Sequence, residues 1–199
     1  KEYGEEITEK MAADFQKEKP ITIRCCMNRV TPEVLKEKLE AEGAKVEAHP
    51  YLPYAFYLSD YDYLEGLESF QEGLFAVQDI SSMFVGELAA PKAGDHVIDV
   101  CAAPGGKSLH VAEKLQLADE AAERENGTEK KAGRVEARDL TEYKTDLIWQ
   151  NIDRSGLGNI WAVCKDASVF DKYDEEAADL VIADLPCSGL GVLGKKPDL

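Results

Sequence analysis

Carboxylates occupy three comparable places in the second half of this 199-residue chain. Asp139 ends the run GRVEARD, Asp166 lies near the end of NIWAVCKDA, and Asp184 lies near the end of ADLVIADLP. All three runs are expected to be strands of one parallel sheet. A carboxylate after one strand of such a sheet suits the two hydroxyls of a ribose, and one after the next strand suits the amine of adenine. Because these strand ends share one crevice, the pattern predicts a nucleoside site.

A glycine turn precedes these strands, in the stretch VIDVCAAPGGKSLHVAEKL (residues 97–115). It follows a short apolar run and opens a helical pattern, so it is expected at the carboxyl end of a strand, where α/β sheets bind ligands. Glycine lets a ligand approach the backbone, and a helix start offers N–H groups. The spacing matches neither GxGxxG nor the P-loop. The ligand predicted here is a nucleoside without an obligatory pyrophosphate, such as S-adenosylmethionine.

A cysteine follows the last predicted strand, in the stretch ADLPCSGLGVLGKKPD. Cys187 comes directly after a proline that fixes the backbone, and Asp184 lies three residues before it. The glycines that follow make the loop pliable, and Lys195 and Lys196 supply positive charge. A thiolate is a strong nucleophile, so the sequence predicts a reactive cysteine beside the same crevice.

The composition limits the classes of partner. There are 23 basic and 39 acidic residues, giving a net charge of −16, which disfavours a general basic surface for nucleic acid. Any such role needs a local basic cluster or a partner domain. The five cysteines contain no CxxC pair, so disulfides and a zinc site are not expected. No apolar run approaches the roughly 20 residues of a membrane span, and the protein is expected to be cytoplasmic. The oligomeric state is left open.

The order of predicted elements gives the fold class. From residue 73 on, strands alternate with helices, which predicts an α/β fold with a right-handed parallel sheet. Residues 74–90 are predicted as a helix, and residues 118–132 as an exposed insertion. Residues 20–72 are predicted as a small α+β unit, and residues 1–19 as a linker or peripheral helix. The missing initial Met and the ending GKKPDL suggest a chain cut from a longer protein.

Together, DVCAAPGGKS and DLPCSGLG resemble the RNA cytosine-5 methyltransferases of the Sun/Nop2 group. The likeness is greatest to the bacterial 16S ribosomal RNA methyltransferase B branch, and it runs from about residue 20 to residue 199. It implies a Rossmann-like class I methyltransferase sheet, incomplete at the C-terminus, over residues 73–199. Residues 20–72 would then be an RNA-facing subdomain. The implied reaction is methylation of carbon 5 of a cytosine in ribosomal RNA through a covalent cysteine–C6 adduct.

The resemblance also implies roles for single residues. Asp139 would take the ribose, Asp166 the adenine edge, and Asp184 the cofactor side of the substrate pocket. The methionine part of the cofactor would be held by Cys101, Ala102, Ala103, Pro104, Gly105, Gly106 and Lys107. RNA contacts would come from Arg24, Asn28, Lys195 and Lys196, although Arg24 and Asn28 stand wider apart than the family's Arg-x-Asn.

The family pattern uses two cysteines, of which Cys187 would resolve the adduct. The attacking cysteine belongs to a downstream Thr-Cys pair that these 199 residues do not contain. The chain is therefore expected to bind cofactor but to turn over poorly or not at all alone.

Two other hypotheses remain open on the sequence. One is a nucleotide-binding α/β protein that uses Gly105, Gly106, Lys107 and Ser108 on phosphates. The other is a non-catalytic RNA-binding or assembly module.

Overall fold

A computed structural model describes residues 4–15, 20–126 and 132–186 of the chain. Residues Ile21–Asp184 form one compact unit, which holds two four-stranded sheets. The helix α1 (Gly4–Phe15) lies outside that unit. In the described part of the chain, no helix is both long enough and apolar enough to cross a bilayer. No group of three or more metal-ligating side chains occurs among those residues.

The first sheet is antiparallel. Its strands are β1 (Ile21–Cys25), β2 (Lys45–Ala48), β3 (Ala55–Ser59) and β4 (Phe75–Val77), in the order β2-β3-β1-β4. Between the strands lie α2 (Pro32–Ala41), a 3-10 turn (Leu64–Gly66) and α3 (Glu68–Gln71). The apolar faces of β1, β3 and α2 pack into one core that includes Ile23, Leu35, Leu39, Phe56 and Leu58.

The strand β4 corrects one prediction. A single helix was expected over residues 74–90, but Phe75–Val77 pair with β1, and the helix α4 begins only at Ile80 and ends at Ala89. The apolar run that precedes Gln78 meets an open edge of β1, and tertiary pairing decides such short segments. The fourth strand of this sheet therefore lies beyond residue 72. The division of the chain at residue 72 stays a prediction.

The second sheet is parallel and confirms the predicted α/β class. Its strands are β5 (His96–Asp99), β6 (Arg134–Asp139), β7 (Ile160–Cys164) and β8 (Leu180–Ile182), in the order β7-β6-β5-β8. The connecting helices are α5 (Gly106–Asn126) and α6 (Glu142–Ser155). The chain builds outward from β5 to β7 and then returns to the other side of β5. The strand order therefore reverses at β5, and the crevice beside its carboxyl end is where such sheets bind ligands.

The length of α5 corrects a second prediction. Residues 118–126 continue the helix instead of forming an exposed insertion, because their Ala, Glu and Arg residues are strong helix formers. Asp119 has a structural role there. Its carboxylate accepts hydrogen bonds from the backbone N–H groups of Gly94 (2.8 Å) and Gly133 (2.7 Å), which fixes the approaches to β5 and β6. Residues 127–131 lie outside the described part of the chain.

Two arginines fasten the first sheet to α6. Arg29 donates hydrogen bonds to the carbonyls of Ser155 and Glu72, each at 2.7 Å. Arg154 donates to the carbonyl of Phe75 (3.2 Å), and its guanidinium lies 4.4 Å from the centre of the Phe70 ring. These contacts fix β4, and with it the start of α4, against the parallel sheet.

Candidate active site

A cavity of about 180 Å³ opens at the reversal point of the parallel sheet. Three segments line it: the turn after β5, the junction between β4 and α4, and the end of β8. Its lining residues are Val77, Gln78, Asp79, Ser82, Asp99, Cys101, Ala102, Ala103, Pro104, Gly106, Lys107 and Asp184. Six of the seven residues predicted for the glycine turn are among them, and only Gly105 is not.

The glycine turn has the backbone that its sequence requires. Gly105 adopts a φ of +104°, which residues with a side chain rarely take, and it donates a hydrogen bond to the carbonyl of Ala102. Gly106 begins α5, and a Cβ atom placed on it would have no neighbour within 4 Å. Space is therefore open beside the first residue of α5, where a ligand can approach the positive end of the helix dipole.

Lys107 joins the turn to the end of β8. Its Nζ lies 2.7 Å from Oδ2 of Asp184. Asp184 precedes the Leu-Pro-Cys stretch by one position, so this ion pair brings two of the predicted motifs to one place. The pair is partly exposed, with the Lys107 side chain 23% and the Asp184 side chain 60% accessible. Solvent screening keeps the contribution of this ion pair to stability small. Its importance is that it holds the glycine turn close to the end of β8.

Asp99 is a buried carboxylate that the sequence predictions did not include as a site residue. Only 1% of its surface is exposed. Its Oδ2 accepts a hydrogen bond from the Ser108 hydroxyl (2.6 Å), and its Oδ1 accepts a longer one from the backbone of Cys101 (3.4 Å). Burial raises the pKa of Asp99 above its ordinary value, although the Ser108 hydrogen bond opposes that rise.

Asp139 lies beside the cavity rather than in its lining. Its Oδ2 accepts a hydrogen bond from the backbone of Ala103 (3.0 Å), which ties it to the glycine turn. Its Oδ1 accepts one from the backbone of Leu140 (2.8 Å) and lies 3.1 Å from Nζ of Lys144. Burial alone would raise the pKa of Asp139, but these donors outweigh burial and hold the pKa below its usual value. The group is therefore an ionised acceptor at neutral pH.

Asp166 is placed apart from the cavity lining. Its Oδ1 accepts hydrogen bonds from the hydroxyl (2.7 Å) and the backbone N–H (2.8 Å) of Ser168, and these bonds lower its pKa. The carboxylate thus closes a local turn after β7, on the exposed surface. Its predicted contact with adenine stays a prediction.

The predicted RNA-contact residues fall in different places. Arg24 is only 2% exposed, and its guanidinium binds Glu113 and Gln78 inside the protein. Asn28 lies in a half-buried turn after β1. Cys187, Lys195 and Lys196 lie outside the described residues. The side chain of Arg24 offers RNA almost no accessible surface, so an RNA contact by Arg24 would require the buried ion pair to open.

The predictions missed one wall of the cavity, formed at the β4–α4 junction by Val77, Gln78, Asp79 and Ser82. A signal for it exists in the sequence. The polar residues of QDISS interrupt an otherwise apolar segment at the point where α4 begins. Interpreting residues 74–90 as one helix hid that signal.

Comparisons with known proteins agree with this geometry. A family model described as 16S rRNA methyltransferase RsmB/F matches residues 87–199. The chain is 34% identical over 198 residues to a Bacillus subtilis (strain 168) protein named "Probable ribosomal RNA small subunit methyltransferase B". That match covers 99% of this chain and 41% of the relative. The chain therefore spans about two fifths of that relative's length.

Solved structures show the same fold. A protein described as PH0851 matches with a TM-score of 0.80 and 27% identity, over 96% of this chain and 41% of that one. The structure titled NSun6 from Pyrococcus horikoshii with SFG has a TM-score of 0.69 and 20% identity, over 93% of this chain and 68% of that one. At 20% identity, the match to the NSun6 structure shows a shared fold and nothing further. The predicted Rossmann-like methyltransferase fold is confirmed.

Proposed function

The chain belongs to the 16S rRNA methyltransferase RsmB/F family, and from that premise we propose that it is the cofactor-binding part of an enzyme that methylates carbon 5 of a cytosine in ribosomal RNA. Family membership confirms the resemblance found in the sequence, and it makes S-adenosylmethionine the cofactor. The observation that carries the proposal is the Lys107–Asp184 ion pair at 2.7 Å. It joins the glycine turn to the strand end that leads into Cys187.

The cavity has the chemistry that this cofactor requires. S-adenosylmethionine supplies an electrophilic methyl group on a positively charged sulfur, next to an ammonium and a carboxylate. Asp99 and Asp184 line the cavity and complement the positive groups. The uncovered start of α5 at Gly106 offers N–H groups to the carboxylate. Asp139 would take the ribose, since a carboxylate has about four acceptor sites and the amides of Ala103 and Leu140 together with Lys144 occupy three of them. We retain Asp166 as the acceptor for adenine.

Two cysteine thiols would act on the target base, and Cys187 is one of them. Carbon 5 of cytosine is a poor nucleophile, and adding a thiolate to carbon 6 converts it into an enamine that can take the methyl group. A base then removes the carbon 5 proton, the double bond re-forms, and the thiolate leaves carbon 6. Asp184, protonated or bridged by water near the ring nitrogen of the base, would stabilise the adduct. Cys187 would resolve the adduct, with the attacking thiol coming from a separate cysteine.

RNA is the partner that the relatives' names support. The matched family and the Bacillus subtilis relative are both named for ribosomal RNA. We propose that residues 20–72 face the RNA and residues 73–199 bind the cofactor, and that the enzyme works in the cytoplasm. The target cytosine must be unpaired or flipped to reach the cavity. With a net charge of −16, phosphate contacts must be local, and Lys195 and Lys196 are the proposed ones.

The test uses protein expressed from its complete reading frame and ribosomal RNA from a strain that lacks the activity. The wild type should transfer labelled methyl groups to carbon 5 of cytosine, and Asp184→Asn should reduce the rate by about 100-fold or more. Cys187→Ala should accumulate a covalent protein–RNA adduct that survives denaturing gels. The matched control is Cys164→Ala, which removes an exposed thiol at the end of β7 and should turn over normally. Normal turnover by Cys187→Ala, with no adduct, would contradict the proposed chemistry.

A further inference from the structure

A buried ion pair lies behind the cavity wall. Nη1 of Arg24, on β1, lies 2.8 Å from Oε2 of Glu113, on α5, and the two side chains are 2% and 1% exposed. Nε of Arg24 also donates a hydrogen bond to Oε1 of Gln78 at 2.9 Å. One guanidinium therefore connects the antiparallel sheet, the helix that follows the glycine turn, and the β4–α4 junction. Arginine binds its partners through a rigid planar fork, so these contacts fix relative positions.

The contact with Arg24 also fixes which way the Gln78 amide points. A guanidinium has donors only, so the carbonyl end of the amide must face Arg24 and the NH₂ end must face away. Gln78 is 5% exposed, and its Nε2 has no hydrogen-bond partner among the residues that the structure describes. A buried donor without a partner is rare in proteins and calls for an explanation.

The position of Gln78 explains why its amide donor has no partner among the described residues. It lines the cavity together with its neighbours at the β4–α4 junction. Its Nε2 has almost no solvent-accessible surface, so it lies within the wall, and a small turn of the side chain would be needed to present it to a ligand. A ligand oxygen within reach would accept the hydrogen bond that Nε2 of Gln78 does not make within the described part of the chain. That bond would bring the β4–α4 junction into contact with the ligand.

We propose that Gln78 is a ligand-contact residue, which donates a hydrogen bond from Nε2 to an oxygen of the molecule that fills the cavity, and that Arg24 is the positioning residue that orients it. The inference rests on the proposed function. Two oxygens have the required chemistry: the methionine carboxylate of the cofactor and the carbonyl oxygen of the target cytosine. This gives Arg24 a supporting role behind the cavity wall, whereas the family resemblance had implied an RNA contact.

The first experiment tests the cofactor oxygen. Gln78→Glu keeps the acceptor that Arg24 needs but removes the donor, and Gln150→Glu makes the same change on the exposed face of α6. Calorimetry would measure binding of S-adenosylhomocysteine and of 5′-methylthioadenosine, which lacks the amino-acid part. If the carboxylate is the acceptor, Gln78→Glu weakens S-adenosylhomocysteine binding about 10-fold or more and leaves 5′-methylthioadenosine binding unchanged. Gln150→Glu should change neither.

The second experiment tests the base oxygen, with protein from the complete reading frame. If the cytosine carbonyl is the acceptor, Gln78→Glu binds S-adenosylhomocysteine normally, but kcat/KM for RNA falls by about 3- to 10-fold or more. The proposal is overturned if both ligands and kcat/KM are unaffected. It is also overturned if 5′-methylthioadenosine binding weakens as much as S-adenosylhomocysteine binding, because the whole wall would then have collapsed.

A double-mutant cycle tests the role of Arg24. Arg24→Lys keeps a charge beside Glu113 but loses the fork that holds Gln78, and Arg124→Lys is the control on an exposed part of α5. If Arg24 acts through Gln78, the variant carrying both Arg24→Lys and Gln78→Glu is no weaker than Gln78→Glu alone in the affected assay. Fully additive losses would show that Arg24 does not act through Gln78. Failure of the wild type to bind S-adenosylhomocysteine would instead contradict the proposed function.

Discussion

Asp139 is the residue whose surroundings most restrict its role. Both of its oxygens accept backbone N–H bonds, one of them from the glycine turn, so the carboxylate is held in place before any ligand arrives. Its lowered pKa keeps it ionised at neutral pH. These properties support the proposed role of Asp139 as the acceptor for the ribose.

The substitution Asp139→Asn should weaken binding of S-adenosylhomocysteine about 10-fold or more. The amide of Asn replaces one acceptor oxygen with a donor, so it cannot serve Ala103, Leu140, Lys144 and the ribose together. Calorimetry measures the effect, and Asp146→Asn on the exposed surface of α6 is the control. Unchanged affinity in Asp139→Asn would remove Asp139 from the cofactor site.

Single residues differ in how far the sequence could predict them. The glycine turn and Asp184 were found because each lies at the carboxyl end of a recognisable parallel strand, and such ends share one edge. Gln78 could not be found in that way, since its partner Arg24 lies 54 positions away, on the neighbouring strand β1 of the antiparallel sheet. The RNA contact predicted for Arg24 rested on the family resemblance, and the sequence could not show that tertiary packing buries its guanidinium against Glu113.

The helices α4 and α5 meet at a buried histidine. His110 on α5 is fully buried, and a Cβ atom on Gly86 of α4 would lie only 2.6 Å from its Nδ1. Neither ring nitrogen has a hydrogen-bond partner in the part of the chain that the structure describes. Burial, with smaller contributions from Arg24 and Lys114, lowers the pKa of His110 to about 2. The folded protein therefore keeps this ring neutral.

The buried, neutral ring of His110 predicts that the free energy of unfolding falls in acid. The unfolded chain binds a proton at His110 below about pH 6.5, whereas the folded chain does not until about pH 2. The contribution of His110 is thus complete above pH 6.5 and falls, by up to about 1.4 kcal/mol per pH unit, as the pH drops toward 2. Urea unfolding between pH 7 and 4 measures the slope.

His110→Gln should lose that part of the slope, whatever its effect on the absolute stability. The control His49→Gln removes a different buried histidine and should retain the slope, because His110 is still present. Equal slopes for the wild type and His110→Gln would mean that the ring is not buried between α4 and α5 in solution.

The elements show where pattern alone decides structure. The strands β5 to β8 and the helix α6 follow from apolar runs that alternate with helical periodicity, so the α/β class was predictable. The strand β4 was not, because three residues carry no period and the open edge of β1 decides their conformation. The helix α5 is longer than predicted, because the polar composition of its last turns resembles that of a loop. Its residues nevertheless favour helix, and Asp119 binds the backbone of both neighbouring turns.

At the scale of the whole molecule, the site depends on the order of the parallel strands. The reversal at β5 places the glycine turn next to the end of β8, and the antiparallel sheet supplies the third wall through β4. Alternation of strands and helices could predict a parallel sheet but not its strand order, because several orders satisfy the same pattern. Strand order is set by which edges pair, and that information is spread over the chain.

The central claim is that this cavity accepts a methyl-donating nucleoside and not a nucleoside triphosphate. Competitive calorimetry on the chain, titrated with S-adenosylhomocysteine and with ATP, tests it most directly. We predict that S-adenosylhomocysteine binds at one site and that ATP neither binds comparably nor displaces it. Stronger binding of ATP, lost on Lys107→Gln, would instead assign the turn to phosphate and contradict the account.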